Sequence, residues 1–145
     1  MKKIIKTILW FVWLVLIFCL SNENGTQSSN LSNGILMHIA NFLKVGDVES
    51  FVDTFGFIIR KGAHFSEYFI LYILTIECFK EYKINNLVLI SILFCVLYAS
   101  FDEFHQLFID GRCGQVKDVL IDSSGSLFSS LIWHLIKKDG RKSTT

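Results

Sequence analysis

The sequence predicts an all-α fold, a four-helix transmembrane bundle with short amphipathic helices in the first external loop. Three observations carry this expectation. The chain is 52% apolar with a mean hydropathy of +0.48, too oily for an ordinary soluble domain. It contains no proline, so helices meet no obligatory breaker. Its charges are segregated, with long hydrocarbon runs alternating with short, dense polar stretches. The length suits a single domain, 1–145. Spans are expected at about 4–20, 61–79, 84–106 and 117–136, with an external loop over 21–59. A net charge of +1 offers no electrostatic footprint for nucleic acid.

The first span opens with Lys2, Lys3 and Lys6 and then runs apolar from Ile8 to Leu20. Lys6 can reach the interface along its own stem. No small-residue cleavage site precedes Ser21–Asn24, so the segment is expected to stay as a helix. Ser21–Asn33 reads as a polar loop of turn-forming residues. Beyond it, Ile35, Leu36, Ile39, Phe42 and Leu43 recur at helical spacing, as do Val48, Phe51, Val52, Phe55 and Ile59. Lys44, Asp47, Glu49 and Asp53 interrupt them, which suggests one or two amphipathic helices lying on the membrane.

The second span begins at Arg60-Lys61 and carries His64 and Glu67 in its first two turns. Glu77 falls near its far end, and Lys80–Lys83 makes a charged turn. The third span is nearly pure hydrocarbon up to Phe101. The fourth is softened by Asp122, Ser123, Ser124, Gly125 and Ser126. Trp10, Trp13 and Trp133 read as aromatic-belt residues. Cys19, Cys78 and Cys95 read as small hydrophobes, and Cys113 sits in a polar loop with no assigned role.

Basic residues set the expected topology. With four spans, one side collects Lys2, Lys3, Lys6, Lys80, Lys83, Lys137, Lys138, Arg141 and Lys142. The other holds Lys44, Arg60, Lys61, Arg112 and Lys117, spread over more loop residues. The positive-inside rule then places both termini in the cytoplasm of a multi-pass cell-membrane protein. The polar ends of the second, third and fourth spans fall together at the outer face. Arg60, His64 and Glu67 form one helical stripe, Asp102, His105 and Gln106 a second, and Asp118, Asp122, Gly125 and Ser129 a third. A charged side chain at the centre of a membrane helix costs roughly 2.5–3.5 kcal/mol. Such groups persist when they pair or face water, and pairing of Arg60 and Arg112 with Asp102, Asp118 or Asp122 is expected. Gly125 allows close approach of the fourth helix.

Three pieces resemble the VanZ-like family of bacterial membrane proteins, which includes teicoplanin-resistance proteins. They are Arg60-Lys61-Gly62-Ala63-His64-Phe65 with Glu67-Tyr68, then Asp102-Glu103-Phe104-His105-Gln106, then Gly111-Arg112 followed by Asp118 and Gly125. One departure is Asp122, where the family usually has asparagine. The resemblance implies a small cell-envelope protein associated with resistance to glycopeptide antibiotics; it implies no agreed reaction.

The residues themselves leave three possibilities. An outer pocket of Arg60, Lys61, His64, Glu67, Asp102, Glu103, His105, Gln106, Arg112, Asp118 and Asp122 would bind an anionic headgroup. Its ligand would be a membrane lipid, a lipid-linked wall precursor or a lipoglycopeptide antibiotic. Alternatively, Glu103, His105, His64 and Glu67 are catalytic candidates for an enzyme acting on a lipid phosphate or ester by metal or acid–base chemistry. The spacing matches no HExxH pattern, so no metal is assigned and no cofactor is identified. The third possibility is an assembly role with envelope protein partners.

Overall fold

Five helices make up the fold: α1 (Lys2–Ser21), α2 (Gly25–Phe42), α3 (Val48–Glu81), α4 (Leu87–Gln106) and α5 (Val116–Lys142). There is no strand among the described residues. The computed structural model describes residues 1–142, with side chains described through Lys138. The side chains of Arg141 and Lys142, counted above for topology, lie outside the described residues.

The hub is α3, which packs against each of the other four helices and most extensively against α5. This position accounts for its composition. Three helices, α1, α4 and α5 as far as Lys138, are long and apolar enough to cross a membrane. The less apolar α3 is shielded by those three. Its Tyr68, Leu71, Tyr72 and Ile76 form the buried core with Ile17 of α1 and Cys95 and Ala99 of α4. The outward faces of α1, α4 and α5 are exposed hydrocarbon, including Ile8, Phe11, Leu93, Leu97, Leu127 and Leu131. Apolar side chains outside and small or polar ones between helices is the pattern of a bundle whose solvent is lipid.

Small residues set the close approach of α5 to α3. Gly125, Ser126 and Ser129 of α5 are buried against α3. A Cβ on Gly125 would stand 2.3 Å from the Phe65 carbonyl oxygen, so only glycine permits this approach. The next residue, Ser126, donates through Oγ to the carbonyl of Tyr68, about one turn along α3 from Phe65, at 3.3 Å.

Two sequence expectations are corrected here. The expected polar loop over Ser21–Asn33 is mostly helix, because α2 begins at Gly25. Asn24 starts it with a capping box: its Oδ1 accepts from the Gln27 N–H at 2.8 Å, and Gln27 Oε1 accepts from the Asn24 N–H at 3.3 Å. The amphipathic segment Val48–Ile59 is not a separate helix. It is the first part of α3, capped by Asp47 Oδ1 on the Ser50 N–H at 3.1 Å. The 34 residues of α3 span about 51 Å at 1.5 Å per residue, well beyond a hydrocarbon thickness of about 30 Å. The surplus packs against α2 as a helical hairpin.

Trp10 and Trp13 also depart from the aromatic-belt expectation. Trp10 Nε1 donates to Thr75 Oγ1 at 3.0 Å, and Trp13 Nε1 donates to the Glu67 carbonyl at 3.0 Å. Both indoles are half-buried pins between α1 and α3. The far end of the bundle is tied by Lys6 Nζ, 2.9 Å from Glu77 Oε2 and 2.6 Å from Glu81 Oε1.

Candidate functional site

A cavity of about 340 Å³ opens at the end of the bundle where α1 stops, α4 stops and α5 starts. Its walls come from all five helices and the α4–α5 turn. Arg60, Lys61, His64 and Glu67 enter from α3, Asp102 and Gln106 from α4, and Asp118 from α5. Arg112 and Cys113 enter from the turn, and Leu20 and Ser21 from the end of α1. Ser28, Ser29, Leu31, Ser32 and Ile35 of α2 cover one side.

Local backbone chemistry brings the pieces together. Gly111 has φ +71°, a conformation glycine adopts without penalty. It lies directly against Gly25, where a Cβ would fall 2.0 Å from the Gly111 carbonyl oxygen. The Gly25 N–H, an orphan donor of the first turn of α2, donates to the Asp110 carbonyl at 3.2 Å. The turn after α4 thus docks onto the start of α2. Arg112 follows and donates through Nε to the Glu23 carbonyl at 2.9 Å and through Nη2 to the Leu20 carbonyl at 3.1 Å. These carbonyls belong to the end of α1 and the turn after it, beyond the regular helical ladder, although the Leu20 carbonyl also accepts from the Glu23 N–H at 3.3 Å.

A sequence model of the VanZ/LLP1 family matches residues 6–137. This chain belongs to the VanZ/LLP1 family. The match takes in every element around the cavity. No curated protein and no solved structure matches the chain.

The expected side chains are partitioned between two levels in this VanZ/LLP1 protein. Arg60, Lys61, His64, Glu67, Asp102, Gln106, Arg112 and Asp118 line the cavity. Asp122 and Glu103 do not; both are buried between the helices, at 0% and 4% exposure. Asp122 lies one turn beyond Asp118 on α5, and its Oδ1 is 3.3 Å from His64 Nδ1. Glu103 Oε2 accepts from the Gln115 N–H at 2.8 Å, which ties α4 to the start of α5.

His105 is placed differently from its expected stripe. Its ring packs on Phe18 of α1 with centroids 4.7 Å apart, and it does not line the cavity. At about 100° per residue, His105 lies about 100° around α4 from Gln106, and α1 occupies that side. Asp102 and Gln106, four residues apart, keep to the cavity side, where Gln106 Nε2 donates to Asp102 Oδ2 at 3.4 Å.

The expected arginine–carboxylate pairs are also corrected. Lys61, not an arginine, pairs with Asp118. Arg112 donates to backbone carbonyls, and Arg60 Nη1 reaches only Ser29 Oγ, at 3.5 Å. Both guanidinium groups therefore line the cavity without a carboxylate partner among the described residues. The contribution of α2 is the feature sequence reasoning missed. Ser28, Ser29 and Ser32 share a helix side once Asn24-x-x-Gln27 is read as a cap.

Chemically, the cavity sets Arg60 and Arg112, neither in direct contact with a carboxylate among the described residues, beside an apolar strip of Leu20, Leu31, Ile35 and Ile59, with Glu23, Glu67 and Asp102 also on its walls. Such a surface suits an anion carried on an apolar body.

Proposed function

We propose that this protein is a multi-pass cell-envelope membrane protein whose cavity binds the anionic headgroup of an amphiphilic ligand. In this reading α1, the Lys61–Phe79 part of α3, α4 and α5 cross the bilayer, and the cavity opens at the outer face. The basic residues support that orientation, because Lys2, Lys3, Lys6, Lys80, Lys83, Lys137 and Lys138 gather at the opposite end. The observation that carries the proposal is Arg60. Among the described residues it lines the cavity with no carboxylate partner, its one side-chain hydrogen bond being to Ser29 Oγ at 3.5 Å. Arg112 also lines the cavity with donors to spare, since two of a guanidinium's five N–H groups reach carbonyls.

The ligand class is an anionic group on an apolar tail: a membrane lipid, a lipid-linked wall precursor or the acyl-bearing end of a lipoglycopeptide. Holding either of the last two at the outer face would contribute to resistance against teicoplanin-like antibiotics. The test is growth of a susceptible bacterium expressing the protein under teicoplanin. Wild type should raise the inhibitory concentration, and Arg60→Gln and Arg112→Lys should lower it again at equal protein level. Full resistance in both variants would sink the proposal.

A second possibility, an enzyme acting on a lipid phosphate or ester, is favoured by one observation. His64, Glu103 and Asp122 present their polar atoms to one another below the cavity. Turnover of a defined phospholipid by wild type, lost in His64→Gln, would establish it; no product under any condition would remove it.

A further inference from the structure

Each of α3, α4 and α5 contributes one side chain to a buried point beneath the cavity: His64, Glu103 and Asp122. One ligand-capable atom from each lies within 4.8 Å of the others. Among the described residues this is the one group of three or more histidine, cysteine or acidic side chains so arranged.

The polar atoms at this point are left unsatisfied. Both carboxylate oxygens of Asp122 are buried without a hydrogen-bond partner, in a residue with no exposed surface. Glu103 Oε1 is likewise unpartnered, although Oε2 of the same group is held by the Gln115 N–H. His64 Nδ1 stands 3.3 Å from Asp122 Oδ1, within ion-pair distance if the imidazole is protonated, and neither atom has a hydrogen-bond partner. Buried polar atoms left without partners incur a desolvation penalty. Here one atom from each side chain lies within 4.8 Å of the others, a spacing that a single cation could bridge.

We propose that His64, Glu103 and Asp122 bind a divalent transition-metal ion, zinc or manganese. One imidazole nitrogen and two carboxylate oxygens match the preferences of these ions. Two carboxylates also neutralise a divalent charge inside a bundle where uncompensated charge is costly. Three ligands from three helices make the ion a staple of the α3–α4–α5 interface. Three protein ligands leave a tetrahedral ion one position for water or an oxygen of a ligand. His64 belongs to both the cluster and the cavity wall, which gives the ion a route to that position. The inference stands apart from the headgroup proposal and neither requires nor follows from it.

The test uses the full-length protein purified in detergent, stripped with chelator and then equilibrated with Zn²⁺ or Mn²⁺ alone. Elemental analysis after removal of free metal should give one ion per chain, and the metal should raise the apparent Tm. Asp122→Asn and Glu103→Gln should each weaken binding at least about tenfold. Glu49→Gln, an exposed carboxylate at the start of α3, should bind like wild type, which separates this site from surface adsorption. Wild type that takes up neither ion overturns the proposal, whatever becomes of the variants. Full occupancy in either Asp122→Asn or Glu103→Gln overturns it equally.

Discussion

Gly125 of α5 rests against the backbone of Phe65 in α3, so closely that a Cβ would meet the Phe65 carbonyl oxygen at 2.3 Å. The obstacle is backbone, which cannot rotate away, so Gly125→Ala must push the two helices apart. The expected cost is about 1–3 kcal/mol, as for overpacking a closed interface, read as a lower apparent Tm in detergent. Gly34 of α2 has nothing within 4 Å of its would-be Cβ. Gly34→Ala should leave stability unchanged or raise it by up to about 1 kcal/mol through helix propensity. Equal effects at the two positions would contradict the packing described.

Lys61 and Asp118 form the ion pair at the cavity wall, with 24% and 9% of their side-chain surfaces exposed. Lys61→Ala strands a nearly buried carboxylate and should cost about 1–3 kcal/mol. The double variant Lys61→Ala/Asp118→Asn should recover part of that loss. Lys6 and its partners Glu77 and Glu81 are about a third exposed, so solvent screens the pair and Lys6→Ala should cost less than Lys61→Ala. Thermal denaturation of the three proteins side by side checks the ranking.

Cys113 is exposed and lines the cavity. In a Cys19→Ser background, which removes the other exposed thiol, and with the cavity at the outer face, a membrane-impermeant maleimide should label Cys113 in intact cells, and adding Cys113→Ser should abolish that label. Labelling that requires permeabilised cells would mean the opposite orientation.

The bundle was legible in the sequence because hydrocarbon runs and their basic flanks report directly on membrane-type helices. α1, α4 and α5 follow those runs closely. The convergence of Arg60, His64, Glu67, Asp102 and Asp118 was legible too, since polar spacing along a helix fixes which residues share a face. Partner choice was not. Whether Asp118 meets Lys61 or Arg60 depends on how α5 is rotated and shifted against α3, and Gly125 sets that at the level of single atoms. His105 went astray because a stripe on one helix does not reveal that α1 lies beside α4. The start of α2 was hidden because serine and asparagine signal turns and helix caps equally. Only the reciprocal Asn24–Gln27 bonds decide between them.

The two arginines should separate by phenotype. Arg112 holds two carbonyls at the end of α1, so Arg112→Gln should lose about 1.5–3 kcal/mol of stability. Arg60 has one long contact to Ser29, so Arg60→Gln should leave the Tm near that of wild type. A large fall in Tm for Arg60→Gln would assign that residue a structural role.

Lipid binding by native mass spectrometry tests the central claim most directly. The purified protein is titrated with phosphatidylglycerol or phosphatidylcholine of the same acyl chains, as wild type and as Arg60→Gln. A charge-assisted contact is worth about 1.5–3 kcal/mol, so the variant should lose at least about tenfold in affinity for the anionic lipid. Its retention of the zwitterionic lipid should not change. Equal binding of both lipids by wild type, unaltered in Arg60→Gln, would contradict the account.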